Sequence, residues 1–238
     1  ALLNAWATDP MSAFGSVIGI NRLVTADLAD KLGSKEFLEE KVLPKFRAES
    51  GLDVTVLAAF VEAIIAPGYE INALDILSRK KNLRIMEQQN FYPKNIEKSL
   101  QFRSVPGGML VQRGDFGLVA PKDFQFPTEL RPNKAQLESL AFADKVAKHV
   151  KSNAIVLVQG KTLVGAGAGQ MSRFDSCKLA AEKAGKRAKG AVLASDAMFP
   201  SRDGLDAAVD TGAVAIIQPG GSIRDDEVIA AANEHKVP

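Results

Sequence analysis

Cysteine and histidine are almost missing from this chain, which has one Cys (Cys177) and two His (His149 and His235) in 238 residues. A single thiol excludes an intrachain disulfide framework and fits a reducing compartment. A thiolate-rich structural zinc site cannot be assembled from these three side chains, and neither His stands in a metal-ligand spacing. No metal is expected, and a Cys–His or Ser–His–Asp hydrolase is disfavoured on the same ground. An excess of one charge is also lacking. Thirty basic against 28 acidic residues leave +2, too even to argue for nucleic acid or a membrane surface. No apolar run reaches the roughly 18 residues of a membrane span, and no basic segment at the N-terminus leads into one. A cytoplasmic protein is expected.

What is present is ample core: 46% hydrophobic residues, enough for one large domain or two small ones. The chain is organised around Lys151 to Arg173, KSNAIVLVQGKTLVGAGAGQMSR. Ala154 to Val158 has strand length and β-branched content, Gly160-Lys161 turns the chain, and Thr162 to Val164 returns. Gly165, Gly167 and Gly169 follow, and FDSCKLAAEKAGKRAKG then reads as a helix with Ser172 or Asp175 available as cap. A glycine-lined loop at a helix N-terminus suits an anion or a flat ligand. A tight strand-to-helix turn without ligand explains the same pattern. Two familiar motifs fail here. Gln170 stands where the dinucleotide fingerprint needs its third glycine, and Gly-Gln-Met-Ser-Arg replaces the phosphate loop's Gly-Lys-Ser/Thr.

Around this centre the pattern alternates. Ser16 to Ile20 predicts a strand and TADLADKL a helix opening near Thr25. Gly33 to Gly51 reads as an exposed helical excursion that Pro44 would end or kink. Ala63 to Ala66 predicts a buried strand headed by Glu62, which needs a partner if buried. NALDILSRKKN predicts a short helix, LRIME and MLVQR strands, and residues 116–133 a loop with three prolines. From Lys134 a long helix runs to the central stretch, with Leu137, Leu140, Ala141, Ala143 (or Asp144) and Val146 near one face. His149 belongs to this helix, His235 to the C-terminal end, and Cys177 to the helix after the glycines, where a small buried side chain is expected rather than a nucleophile. Two strand–loop–helix units follow, GAVLASD to LDAAVDTG and VAIIQ to IRDDEVIAAANEHK, and argue for neighbouring parallel strands. Their loops, Asp196 to Asp203 and Pro219 to Asp225, would then project from strand carboxyl ends and share an edge with Gly165–Arg173.

The runs DPMSAFG, FVEAIIAPGY, KKNLR, KSNAIV, GAGAGQMSR, ASDAMFPSRD and QPGGSIRDDEVI, in this order and spacing, resemble the AICAR transformylase part of the bifunctional purine-biosynthesis PurH family. The resemblance implies an α/β fold of cytidine-deaminase-like three-layer units with mixed sheets and parallel strands in the C-terminal part. It implies an incomplete N-terminal part over residues 1–133, with an inserted excursion at 33–59, and a deaminase-like part over 134–238. The implied reaction moves a formyl group from 10-formyltetrahydrofolate to the 5-amino group of AICAR, without metal, in homodimers that share active sites.

By the same resemblance Gly15 and Glu62 contact the nucleotide, Asn153 holds it near its reacting carboxamide and amine, and Met198 stands where relatives pack an aromatic on the substrate. Arg173 lies at the folate side, Asp203 hydrogen-bonds the pterin, and the Ser222–Ile223 backbone completes that pocket. Asn153 ending a helix and Asp203 capping one remain open as purely structural readings. The departures are that the Lys-His pair of relatives, which transfers the proton, would lie upstream of Ala1, and that an RHFRH-like segment would follow Pro238. ASDAMFPS also replaces ASDAFFPF, with Met198 and Ser201 for aromatics. The chain is therefore expected to be an inactive portion of a longer enzyme. The alternatives are a non-catalytic nucleotide- or folate-binding relative and, less well supported, a nucleotide-dependent oxidoreductase.

Overall fold

Strand β6 (Ile155–Gln159) reads Ile-Val-Leu-Val because it is buried on both faces. A computed structural model of the chain describes residues 1–90, 99–117 and 119–238. These form two compact units: Ala1–Ala13 with Lys35–Ala58 and Ala120–Pro238, and Phe14–Ser34 with Ala59–Val119.

In the first unit β6 is central in a sheet of order β7-β6-β8-β9, with β7 at Thr162–Gly167, β8 at Val192–Ser195 and β9 at Ala215–Ile217. β6 runs antiparallel to both neighbours, and β8 and β9 are parallel, as the tandem strand–loop–helix pattern required. Alternate side chains of a strand point to opposite faces. Val156 and Val158 accordingly pack with Leu140, Ala143 and Ala147 of α6 (Lys134–His149) on one side. Ile155 and Leu157 pack on the other with Cys177 and Ala180 of α7 (Arg173–Ala184), Leu205 of α8 (Arg202–Asp210) and Val228 of α9 (Asp225–Glu234). The result is three layers, helix on sheet on helices. Asn133 and Gln136 close a reciprocal capping box at the start of α6, and Ser172 caps α7 through the Asp175 N–H.

The glycines resolve differently from a ligand-lined loop. Gly165 and Gly167 lie within β7. A Cβ on Gly167 would stand 2.7 Å from the Ser176 Cα, and one on Gly165 would stand 2.9 Å from the Ala184 Cβ, with carbonyl oxygens of α7 nearer still. Their bareness lets α7 lie directly on the strand backbone. Only Gly169, at φ +66°, belongs to the loop proper.

The excursion also differs from its expected exposed form. α3 (Lys35–Phe37) passes through a wider, π-helical turn at Leu38–Val42 into α4 (Leu43–Ser50), and Pro44 sits harmlessly in the first turn of α4. Leu38, Val42, Leu43 and Phe46 are buried, while the charges stay outside. Arg187, itself buried, lays its guanidinium 4.9 Å from the Phe46 ring centre and donates to the carbonyls of Ala7, Thr8, Lys183 and Ala184. That network fastens the segment after α1 (Leu2–Trp6) to the end of α7.

The second unit holds a parallel sheet of order β1-β2-β3 (Ser16–Gly19, Val61–Ala66, Arg84–Glu87), with α2 (Ala26–Lys31, capped by Thr25) and α5 (Ile71–Ser78). It also carries an antiparallel ribbon of β4 (Leu100–Val105) and β5 (Gly108–Arg113); β5 covers the expected MLVQR strand, and β4 is additional. Register pairs Phe102 with Val111 and Ser104 with Met109, so one ribbon face carries Leu100, Phe102, Met109 and Val111, all exposed.

Candidate functional site

Because β6 is reversed, its first residue lies on the rim where β7, β8 and β9 end: Ile155 stands opposite both Gly167 and Ser195, and Ala194 opposite Ile217. Asn153 therefore enters β6 at the same rim from which Arg173, Asp196 and the two C-terminal loops leave. The shared edge expected for the three loops is present in this unit.

Asn153 donates its side-chain amide N–H groups to the carbonyls of Gln170 (2.9 Å) and Met171 (3.2 Å), and its backbone carbonyl accepts from Ser176 Oγ at 2.9 Å. Carbonyl partners admit only the NH2 end of the amide, so the geometry turns Oδ1 away from this loop as an acceptor. Arg173 begins α7 and donates through Nε to Ser195 Oγ (3.2 Å) and through a terminal nitrogen to Asp196 Oδ1 (3.4 Å). Two of its five N–H groups are so engaged. Asp196 Oδ1 also accepts from the Ala154 N–H at 2.9 Å, and the Asp196 N–H returns to the Ala154 carbonyl at 3.2 Å. One carboxylate thus joins Arg173 to the strand start that carries Asn153. Sequence reasoning named Asp196 only as a loop boundary. The signal was a lone acid directly after the wholly buried strand Val-Leu-Ala-Ser.

The two C-terminal loops are stitched together. Phe199 N–H donates to Gln218 Oε1 (2.6 Å), Ser222 Oγ to the Pro200 carbonyl (3.3 Å), and Arg202 N–H to Glu227 (3.3 Å). Met198 is exposed on the first loop, and Ile223 is wholly exposed on the second. Asp203 lies exposed in the first turn of α8 and accepts from Ser201 Oγ; no side-chain cap bond is made at that helix start. Ser222 and Gly221 donate their N–H groups to the Asp225 carboxylate.

Gly15 and Glu62 belong to the second unit. Gly15, at φ +72°, donates its N–H to the Phe60 carbonyl at 2.9 Å and precedes β1, whose Ser16 pairs with Val61. The two therefore share the amino-terminal end of that parallel sheet. Glu62 is exposed, not buried among apolar neighbours, and pairs with Arg84 at 3.1 Å.

Burial pushes the Cys177 thiol up to about 12, which removes it as a nucleophile. His235 Nε2 lies 2.7 Å from Asp206 Oδ1 in a surface ion-pair group with Arg202 and Glu234. Among the described residues no group of three or more His, Cys, Asp or Glu side chains is placed to hold a metal, and no helix is long and apolar enough to cross a membrane.

The rim thus offers the Asn153 amide, a guanidinium with N–H groups to spare, an exposed carboxylate and a glycine-rich turn. Such a set suits a flat, donor-rich heterocycle and an anionic group. A family model described as AICARFT/IMPCHase bienzyme matches residues 1–183. The bifunctional purine biosynthesis protein PurH of Acetivibrio thermocellus is 40% identical over 237 residues, covering 100% of this chain and 41% of that relative. The protein of the same name from Brucella ovis is 43% identical over 247 residues, again covering 100% of this chain and 41% of the relative. The chain spans about two fifths of the length of these relatives.

Proposed function

The chain belongs to the AICARFT/IMPCHase bienzyme family, and from that premise we propose that it carries most of the ligand-binding surface for formyl transfer from 10-formyltetrahydrofolate to the 5-amino group of AICAR, a step of purine (IMP) biosynthesis. The observation that carries this reading is the meeting of Asn153, Arg173 and Asp196 on one rim, beside the loops of Asp203 and Ser222.

The chemistry asks for orientation more than for activation by a metal. The AICAR amine is a weak nucleophile, its lone pair delocalised into the imidazole and carboxamide, so attack needs a fixed approach and removal of a proton. Asn153 Oδ1 would accept from the carboxamide or amine N–H and set that approach. Met198 would pack on the AICAR side, Asp203 would pair with the donor edge of the pterin, with the Ser222–Ile223 backbone lining that slot, and Arg173 would meet the folate side through its remaining N–H groups. Gly15 and Glu62 would contact the nucleotide through backbone and carboxylate. The proton would pass to a Lys-His pair of the kind that relatives carry in a KHxNPCG-like run.

The active protein in this reading is a cytoplasmic homodimer with shared sites, built from cytidine-deaminase-like parts divided near residues 133 and 134. The exposed apolar face of the ribbon, Leu100, Phe102, Met109 and Val111, supports a partner subunit, since a two-stranded ribbon gains little stability alone. The test uses the longer protein that carries this chain. Asn153→Ala is expected to weaken AICAR binding, and Asp203→Ala folate binding, each by about tenfold for one lost charged or amide hydrogen bond. Calorimetry showing both affinities unchanged would refute the assignment. Binding of both ligands with no turnover by the longer protein would favour a non-catalytic relative, the reading prompted by Met198 and Ser201.

A further inference from the structure

We propose that Asp196 is a positioning residue, which holds the Arg173 guanidinium and the strand start bearing Asn153 in fixed relation and so couples the folate side of the site to the nucleotide side. This rests on the formyl-transfer reading above. Asp196 Oδ1 accepts from the Ala154 N–H at 2.9 Å and from Arg173 at 3.4 Å, while its N–H closes a second bond on the Ala154 carbonyl at 3.2 Å. The pair is well shielded, with side-chain exposures of 16% for Arg173 and 13% for Asp196. A shielded pair loses less to solvent than a surface one, so the carboxylate can set where the guanidinium points.

Its surroundings reinforce the hold. Ser195 Oγ accepts from Arg173 Nε at 3.2 Å and itself donates to the Ala197 carbonyl at 2.6 Å. Asn153 is bound from the other side by Ser176 Oγ of α7, the helix that Arg173 begins. Arg173, Ala154 and Asn153 are thus tied through one helix end and one carboxylate. Asp196 has no need to touch either ligand to influence both.

Its two bonds can be separated chemically. Asp196→Asn keeps an acceptor for the Ala154 N–H but removes the charge that faces Arg173. Asp196→Ala removes both. In the longer protein, Asp196→Asn is expected to raise the KM for folate about tenfold and to leave the KM for AICAR within about twofold; Asp196→Ala is expected to raise both. In an Arg173→Met background, Asp196→Asn is expected to add nothing further to the folate effect. Equal rises in both KM values for Asp196→Asn, or a full additional loss on top of Arg173→Met, would overturn the proposal.

Hydrogen exchange in the 238-residue chain gives a readout independent of activity. The Ala154 amide should stay protected in Asp196→Asn and lose at least tenfold of its protection in Asp196→Ala; unchanged protection in Asp196→Ala would also overturn the proposal. An unaltered longer protein that binds neither AICAR nor folate would sink the formyl-transfer reading instead, and the hold on Ala154 would still be decided by exchange.

Discussion

Replacing Gly167 by alanine tests the packing of α7 on β7 directly. The added Cβ would stand 2.7 Å from both the carbonyl carbon and the Cα of Ser176, with the carbonyl oxygen nearer still, and none of these atoms belongs to a side chain that can swing away. The Ser176 carbonyl oxygen would be only 2.0 Å away, so to restore an ordinary contact of 3.4 Å the helix must recede by about 1.4 Å at that turn. A gap of about 1 Å already forfeits roughly half of the dispersion well for the atoms it separates, and this one is larger. Overpacking of a tight core costs about 1–3 kcal/mol, and an obstacle made of backbone places this change near the upper end. At about 2–4 °C per kcal/mol for a chain of this size, a loss of about 3 kcal/mol lowers Tm by roughly 6–12 °C. Gly190→Ala is the control. Gly190 has φ +80° and nothing within 4 Å of an added Cβ, so only backbone strain of about 1 kcal/mol applies. Differential scanning calorimetry of both variants decides the matter. Gly167→Ala melting within about 2 °C of the parent, or above Gly190→Ala, would refute the argument that these glycines exist for helix contact.

Three further outcomes follow from the same structure. Cys177, raised by burial from an ordinary 9.0 to about 12, should resist alkylation at pH 8 in the native state and react at the rate of unfolding; its contribution to stability is whole below about 9 and is lost as pH rises towards 12. Burial alone would raise the Asp9 carboxyl, but hydrogen bonds from Lys183 and Ser12 outweigh it and hold the group below 3.8. That stabilisation is present above the ordinary value and lost as pH falls through the depressed one, so Lys183→Met should move the acid-unfolding midpoint upward, measured by circular dichroism. Asn133→Ala removes one arm of the capping box of α6 and should cost about 1 kcal/mol in urea denaturation, with little change in ligand affinity.

Legibility in the sequence followed how local the cause of each feature was. Ser172 and Thr25 cap the helices that begin beside them, and the apolar run at Ile155 announces a strand whatever surrounds it. The two parallel C-terminal strands were legible from the alternation of buried runs and glycine turns. Features that depend on a distant neighbour were not. A glycine at every second position reads alike whether a ligand or a helix approaches, and only the position of Ser176 and Ala180 identifies the helix. The buried side of the excursion, Leu38, Val42 and Phe46, was hidden among lysines and glutamates that stay in solvent. Asp196 gave no local sign that one oxygen would serve both Ala154 and Arg173, because the two lie 42 and 23 residues away.

The reversal of β6 has a consequence for how such a rim can be remodelled. In a sheet whose strands all point one way, every residue at the ligand edge hangs from a strand exit, and each exit loop must also reach the next helix. Here a strand entrance stands between three exits, so a side chain is delivered by a segment that has already left its helix. Grafting or shortening the segment between His149 and Ile155 would reach that one group most directly, and Gln170, Ser176 and Asp196, which are bonded to the segment, would have to be varied with it. Directed libraries aimed at altered ligand preference would profit from starting there.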